Sequence, residues 1–535
     1  MITKSNALRM GILLVLLLTS ACGGAAATQA PPSKEALFTD YIPEEASTEA
    51  PAATQESVTG YLPQQPASNV HPPIPPNNQE PYDMFFEDYG VNPSIDTEDD
   101  NLSTFALDVD SGSYTIMRSY LSEGNLPPSD SVRVEEYVNY FDQGYPSPPA
   151  HQAFGIYLDG APAPFTQTER YQMLRVGVQG YQVPAEERKD ASLTFVIDVS
   201  GSMDMDNRLG LVKRSLELLV EQLRPGDRVS IVVYGSEARV VLEPTSGDDK
   251  GAILEAIYNL RPEGATNAEA GIRRGYQMAM HAYNPEGINR VILCSDGVAN
   301  VGLTGPEAIL QEVSHYVEEG VTLTTVGFGM DNYNDILMEQ LADNGDGFYA
   351  YVDDLREARR LFLDRVTGTL QTIAMDAKVQ VEFNPQVVMR YRLVGFENRA
   401  IADEQFRDNS VDAGEIGAGH SVTALYEIKL YPEAYGNIAT VFLRWQDPET
   451  RQVVELSKDF NTGELAYQFE SADPYFQRSV VVAEYAEILK KSYWAEESSL
   501  AHVYHEAIRV SELLPWDENI GEFMELIRRA SQLTD

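Results

Sequence analysis

Five oxygen-bearing side chains stand at spacings that could hold a hard cation. Asp198, Ser200 and Ser202 alternate in Leu193-Thr-Phe-Val-Ile-Asp198-Val-Ser200-Gly-Ser202-Met203; Thr266 follows in Gly264-Ala-Thr266-Asn267, and Asp296 in Ser295-Asp296-Gly297. Carboxylate and hydroxyl oxygens suit Mg²⁺, Mn²⁺ or Ca²⁺ better than softer metals. Each group sits at a joint between elements. The largely apolar run Leu193 to Ile197 reads as a buried central strand that ends on Asp198. After Arg208, the apolar spacing of Leu209, Val212, Leu216, Leu219 and Leu223 predicts an amphipathic helix. Thr266 opens a helix over Ala268 to Ala282, and Asp296 follows a strand over Arg290 to Ser295. Strand, polar turn and helix form the arrangement in which an open α/β sheet holds ligands at the carboxyl ends of its strands. Asp-x-Ser-x-Ser alone would be better explained by helix capping. Donors on three separate loops favour a metal.

This set resembles the metal-ion-dependent adhesion site of von Willebrand factor type A domains. The resemblance implies that Ser200 and Ser202 bind the ion directly. Asp198 and Asp296 would often act through water, and Thr266 would join when a ligand is held. It implies a divalent cation, Mg²⁺ before Mn²⁺ or Ca²⁺, with an open position for an Asp or Glu of a protein partner. Asp204 and Asp206, just beyond, read as a solvated helix start favoured by the helix dipole.

Enzyme chemistry finds little support. No His or Lys stands among the five as a base. His502 and His505, with Glu506, lack the His-Glu-x-x-His spacing of a zinc protease, and no serine lies in Gly-x-Ser-x-Gly. Gly327-Phe-Gly329 is followed by no Gly-Lys-Ser/Thr, so it reads as a tight turn and not a nucleotide loop. The expectation is a non-enzymatic binding module. The alternatives are a metal-independent structural scaffold and, behind it, a metal-dependent hydrolase.

The 535 residues carry 82 acidic against 39 basic groups, a formal charge of −43, which repels phosphate backbones and disfavours nucleic acid as a partner. Residues 1–21 read as a secretory signal, with a basic start and an apolar core from Gly11 to Leu18 that is too short to span a membrane. Cys22 after Ser20-Ala21 resembles a bacterial lipoprotein cleavage site, with Thr19 where Leu is more usual. That implies an exported protein anchored to the membrane through a lipid on Cys22. Cys294 lies in an apolar strand and reads as a small buried side chain.

Residues 22–100, rich in Pro, Ala, Gln, Ser and Glu, read as a disordered tether; Tyr82-Asp-Met-Phe-Phe86 is either a docking cluster or a sticky spot. Residues 101–185 read as an α+β module, with a strand at Thr104–Asp110 and helices at Ser113–Ser122 and Val132–Phe141. Ser111-Gly-Ser113 mimics the metal turn, but Val109 stands where the carboxylate is needed, so it reads as a turn and helix cap. Strands alternating with helices over 191–367 predict a parallel sheet covered on both sides, and the type A resemblance implies a doubly wound, mostly parallel, Rossmann-like α/β sheet there. Period-two runs over 375–465 predict an antiparallel β region, and 470–535 reads as helices. The flanking regions, through Phe105–Tyr114, Val132–Phe141 and Arg392–Arg399, resemble the N- and C-terminal modules of a group of bacterial type A domain lipoproteins.

Overall fold

The computed structural model describes residues 84, 86–107, 110–166, 170–297, 306–329, 333–411 and 413–534. The leader, Cys22, most of the tether, Val109 and the loop after Gly297 lie outside the described residues.

The first elements are β1 (Ile95–Asp96), β2 (Leu102–Ala106), α1 (Gly112–Ser122), α2 (Val134–Tyr140), β3 (Phe154–Pro162) and β4 (Tyr171–Gly180). The expected tether boundary at residue 100 is too late. Met84 is buried against Tyr120 and Phe86 packs beside it, so these two residues of the Tyr82–Phe86 cluster dock. The Thr97 hydroxyl donates to the Val388 carbonyl at 2.6 Å. Apolar and hydroxyl groups scattered through an aperiodic stretch leave no repeating pattern, although each finds a partner far along the chain.

The central sheet comprises β5 (Ala191–Asp198), β6 (Arg228–Tyr234), β7 (Ala238–Ser246), β8 (Ile288–Ser295), β9 (Thr322–Gly327) and β10 (Tyr349–Tyr351), in the order β10-β9-β8-β5-β6-β7. All pairs are parallel except β6–β7, which Gly235-Ser236-Glu237 joins as a tight hairpin. A connection that short can only return the chain antiparallel. The parallel sheet predicted from the alternation, and the doubly wound, mostly parallel form implied by the resemblance, are present, with β7 as the edge. Its helices are α3 (Arg208–Glu221), α4 (Lys250–Tyr258), α5 (Ala268–His281), α6 (Pro306–Glu318), α7 (Asp335–Asp343), α8 (Leu355–Arg359) and α9 (Val366–Leu370). Between α8 and α9 the chain forms a π-helical turn at Arg360–Asp364.

Every residue of β5 is buried. Leu193, Phe195 and Ile197 pack with Val212, Leu216 and Leu219 of α3 on one face, and Val196 packs with Ile272 and Tyr276 of α5 on the other. Gly275 permits that second contact: a Cβ there would lie 2.2 Å from Val196 Cγ2. Cys294 is wholly buried in β8, and burial pushes its thiol up to about 12.

The remaining strands are β11 (Thr372–Phe383), β12 (Val388–Val394), β13 (Gly414–Gly417), β14 (Ser421–Leu430), β15 (Asn437–Gln446) and β16 (Val453–Asn461), followed by α10 (Pro474–Lys490), α11 (Leu500–Leu513) and α12 (Glu518–Thr534). They do not form a β region of their own. One sheet runs β1-β12-β14-β4-β3; the other runs β13-β11-β15-β16, with β2 also on β11. Strands from before and after the central sheet thus share a core of Phe105, Leu174 and Val176 with Val379, Val381, Tyr426 and Val441. Likewise Tyr114, Tyr137 and Tyr140 of the early helices pack with Tyr485 of α10 and Phe523 of α12. The doubly wound segment is inserted between two halves of one larger structure.

Buried arginines join the insert to its host. Arg133 reaches Glu136 at 3.0 Å, and Asp335 and Glu339 of α7 at 2.8 Å each; Arg118 reaches Asp353 at 2.5 Å. Ser111 stands at the N-cap position of α1 without capping it; its hydroxyl accepts from Arg360 at 2.7 Å. Glu136 serves instead, accepting from the Ser113 N–H at 2.7 Å. A carboxylate from another element outcompetes the local hydroxyl because a charged acceptor bonds more strongly. Removing one partner of a buried ion pair strands the others, so Arg133→Ala should lower stability by about 3–5 kcal/mol, read as a reduced urea midpoint at unchanged m-value.

Candidate metal centre

Three loops meet at the carboxyl end of β5. The first leaves Asp198 and turns through Ser200 to Ser202 before α3; the Asp198 Oδ1 accepts from the Ser200 N–H at 2.8 Å, which fixes the turn. The Ser200 and Ser202 hydroxyl oxygens stand 3.0 Å apart. The second, residues 263–267, lies against the first through its backbone: Gly201 N–H donates to the Gly264 carbonyl at 3.2 Å and Glu263 N–H to the Val199 carbonyl at 2.5 Å. Asn267, not Thr266, caps α5, its side chain accepting from Ala270 N–H at 3.1 Å. Thr266 stands one residue earlier on this loop, half-buried. The third loop carries Asp296 after β8. Ser295 Oγ donates to Asp198 Oδ2 at 3.1 Å, joining the first loop to the third.

Asp198 and Asp296 are both buried and close enough to repel. Burial first, and the Asp296 charge second, push the Asp198 carboxyl up to about 6, against the donors Ser200 and Ser295. Two carboxylates in a low-dielectric pocket beside a pair of hydroxyls are the environment in which a cation is stabilised. The donors present fit a hard divalent ion. Among the described residues no three His, Cys, Asp or Glu side chains are placed to share a metal; this centre has two acids, and its other donors are hydroxyls.

A further group stands in the centre. Arg208, buried, donates from Nη1 to Asp296 Oδ2 at 3.0 Å. Sequence reading passed over it as the residue before a helix. The available signal was its position: a cation in the first turn of a helix opposes the dipole and needs a local reason. Gly327-Phe-Gly329 bears on the same residue. Gly329 has φ +90°, and a Cβ there would lie 2.3 Å from Arg208 Nε.

Other candidates resolve as expected or differ in detail. Asp204 is exposed on a 3₁₀ turn, Gly201–Asn207, that precedes α3. His502 and His505 lie exposed on α11, with the His502 ring against Phe165 at 5.0 Å.

Family models match in three places: "von Willebrand factor" at residues 80–175, "von Willebrand factor type A domain" at 192–364 and "Uncharacterized protein YfbK, C-terminal" at 368–533. The chain is 36% identical over 480 residues to Uncharacterized protein YfbK of Escherichia coli (strain K12), covering 84% of this chain and 81% of that one. The chain belongs to the YfbK family. Uncharacterized protein sll0103 of Synechocystis sp. is 28% identical over 226 residues, covering 42% of this chain and 52% of its own. Among solved structures, the von Willebrand factor type A protein of Catenulispora acidiphila aligns with a TM-score of 0.40 and 16% identity over 70% of this chain and 89% of its own. The chain is a bacterial protein with a type A domain, and type A domains are mostly non-enzymatic modules of protein–protein interaction that commonly bind a divalent metal.

Ser295→Ala would leave a buried Asp198 oxygen without its donor, a loss of about 1–3 kcal/mol. Thermal unfolding in EDTA should show it as a lowered midpoint, because no cation then takes the donor's place.

Proposed function

We propose that the type A domain holds a divalent cation, Mg²⁺ in the first instance, and uses it to bind a protein partner through an Asp or Glu side chain. Ser200 and Ser202 would hold the ion directly, with Thr266 joining when a ligand is bound and Asp198 and Asp296 acting through water. The observation that carries this reading is the burial of Asp198 within repulsive reach of Asp296, beside paired hydroxyls at the end of the central strand. Mg²⁺ prefers six oxygen ligands in near-octahedral geometry, and a coordination position left open to solvent favours a hard anionic oxygen. No His or Lys stands in this set as a base, which supports a binding role over hydrolysis.

The chain would act outside the cytoplasm, anchored by a lipid on Cys22 after removal of residues 1–21. Its partner would then be an envelope or surface protein, in adhesion or in assembly of an envelope complex. A metal-independent scaffold is the second reading, and the Arg208–Asp296 pair favours it, because that pair ties loop to helix with no ion.

Titration calorimetry with Mg²⁺ and Mn²⁺ should give one site per chain, lost in Asp198→Ala that still folds by circular dichroism. Partners pulled from the native envelope with Mg²⁺ should fall away in EDTA and in Ser200→Ala. A partner set retained in full under EDTA would overturn the metal-mediated reading and leave the scaffold.

A further inference from the structure

We propose that a cleft at the end of the central sheet remote from Asp198 binds a zwitterion of the amino-acid class, an amino acid or short peptide, whose carboxylate meets Arg290 and Thr372. The inference is independent of any cation held near Asp198.

The cleft, of about 620 Å³, opens where Lys189 leads into β5, Arg290 stands near the start of β8 and Thr322 opens β9. Those strands are parallel, so these are their amino ends, and the metal centre lies at the opposite ends. Thr372, which opens β11, and Glu449 of the β15–β16 turn line its other sides. The volume falls within the range of small-molecule sites.

Arg290 is its buried charge. It is 3% exposed, and among the described residues no carboxylate pairs with it. Its hydrogen bonds all go to neutral oxygens: Nε to Thr322 Oγ1 at 3.1 Å, Nη1 to Thr324 Oγ1 at 3.2 Å and to the Thr369 carbonyl, and Nη2 to Thr372 Oγ1 at 3.4 Å. Arg118 and Arg133, buried too, each touch a carboxylate. Burial pulls the Arg290 guanidinium down to about 10, against the through-space charges of Glu415 and Asp346. A buried cation without a counter-ion is costly, and an anionic ligand supplies one.

The donors for that ligand are in place. A guanidinium has five N–H groups, so one N–H on Nη2 has no acceptor among the described residues. The Thr372 hydroxyl accepts from Arg290 and donates to no described residue. Thr322 and Thr372 line the cleft while Thr324 and Thr369 do not, so the Nε–Nη2 edge is the one turned toward it. Two uncommitted donors thus stand 3.4 Å apart at the cleft wall, where a single carboxylate can accept from both.

The rest of the cleft selects which anion. Glu286, Asp346 and Glu415 line it as well, which disfavours a phosphate dianion and favours an ammonium beside the carboxylate. Val317, Leu370 and Met375 add apolar wall for a side chain. An Arg290 that only pinned the insert to β11 would bind no ligand and would not tell an acid from its amide.

The test is calorimetry on the full chain in EDTA, so that no cation near Asp198 can hold a carboxylate. The probes are glycyl-leucine, glycyl-leucinamide, N-acetyl-leucine and inorganic phosphate. Glycyl-leucine should bind at one site, and glycyl-leucinamide, which lacks the carboxylate, about 10- to 100-fold more weakly. N-acetyl-leucine, which lacks the ammonium, and phosphate should also bind more weakly than glycyl-leucine. Arg290→Gln should abolish the preference for acid over amide. Thr372→Val, which keeps the side-chain shape and leaves Arg290 in place, should weaken glycyl-leucine about tenfold and serves if Arg290→Gln fails to fold. Wild type that binds no glycyl-leucine, binds acid and amide equally or binds phosphate most tightly would overturn the inference. So would glycyl-leucine binding that is unchanged in Thr372→Val.

Discussion

A carboxylate at the end of a strand covered on both faces must find its partners within the protein, and Asp198 is in that position. Helix α3 packs on one face of β5 and α5 on the other, so the strand ends away from water. Its two oxygens take the Ser200 N–H and the Ser295 hydroxyl. Those two donors belong to different loops, and satisfying Asp198 is what draws the loops together. The like charge of Asp296 is the residual conflict, and Arg208 answers part of it. The chemistry of the centre follows from how a central strand is buried.

The same accounting recurs where the inserted domain meets its host. Arg118 and Arg133 are buried, and each lies against a carboxylate of the insert, Asp353 and Asp335 respectively. A buried guanidinium accepts few alternative partners, so such pairs fix geometry more than they add stability. They hold the α/β insert in register with a sandwich and a helical cluster that are both built from segments on its two sides. A chain with so large an acidic excess can afford a carboxylate for both arginines.

Much of this was legible in residues alone. The apolar run of β5, the spacing of Leu209, Val212, Leu216 and Leu219 on α3, and the period-two strands after Lys378 each state their element type, because a strand covered on both faces, a half-covered helix and a half-covered strand impose different patterns. Asp198, Ser200 and Ser202 declared hard-cation chemistry by type and spacing, and Asp296 by its place after a strand. Less legible were features that depend on partners. Asn267 rather than Thr266 caps α5, and Glu136 rather than Ser111 serves the start of α1. In both cases neighbouring polar residues compete, and the winner depends on where the backbone points.

The sequence by itself determined the element types, their alternation over the central region and the donors at the end of β5, since these follow from local periodicity and side-chain chemistry. Tertiary structure alone decided that β2 and β4 complete sheets begun by β11 and β14, hundreds of residues away, because a strand's pattern states which face is buried and never which strand it pairs with. It also decided that Arg208 lies against Asp296. The physical reason is common to both: hydrogen-bond and charge partners are chosen by distance in space, and distance along the chain does not encode it.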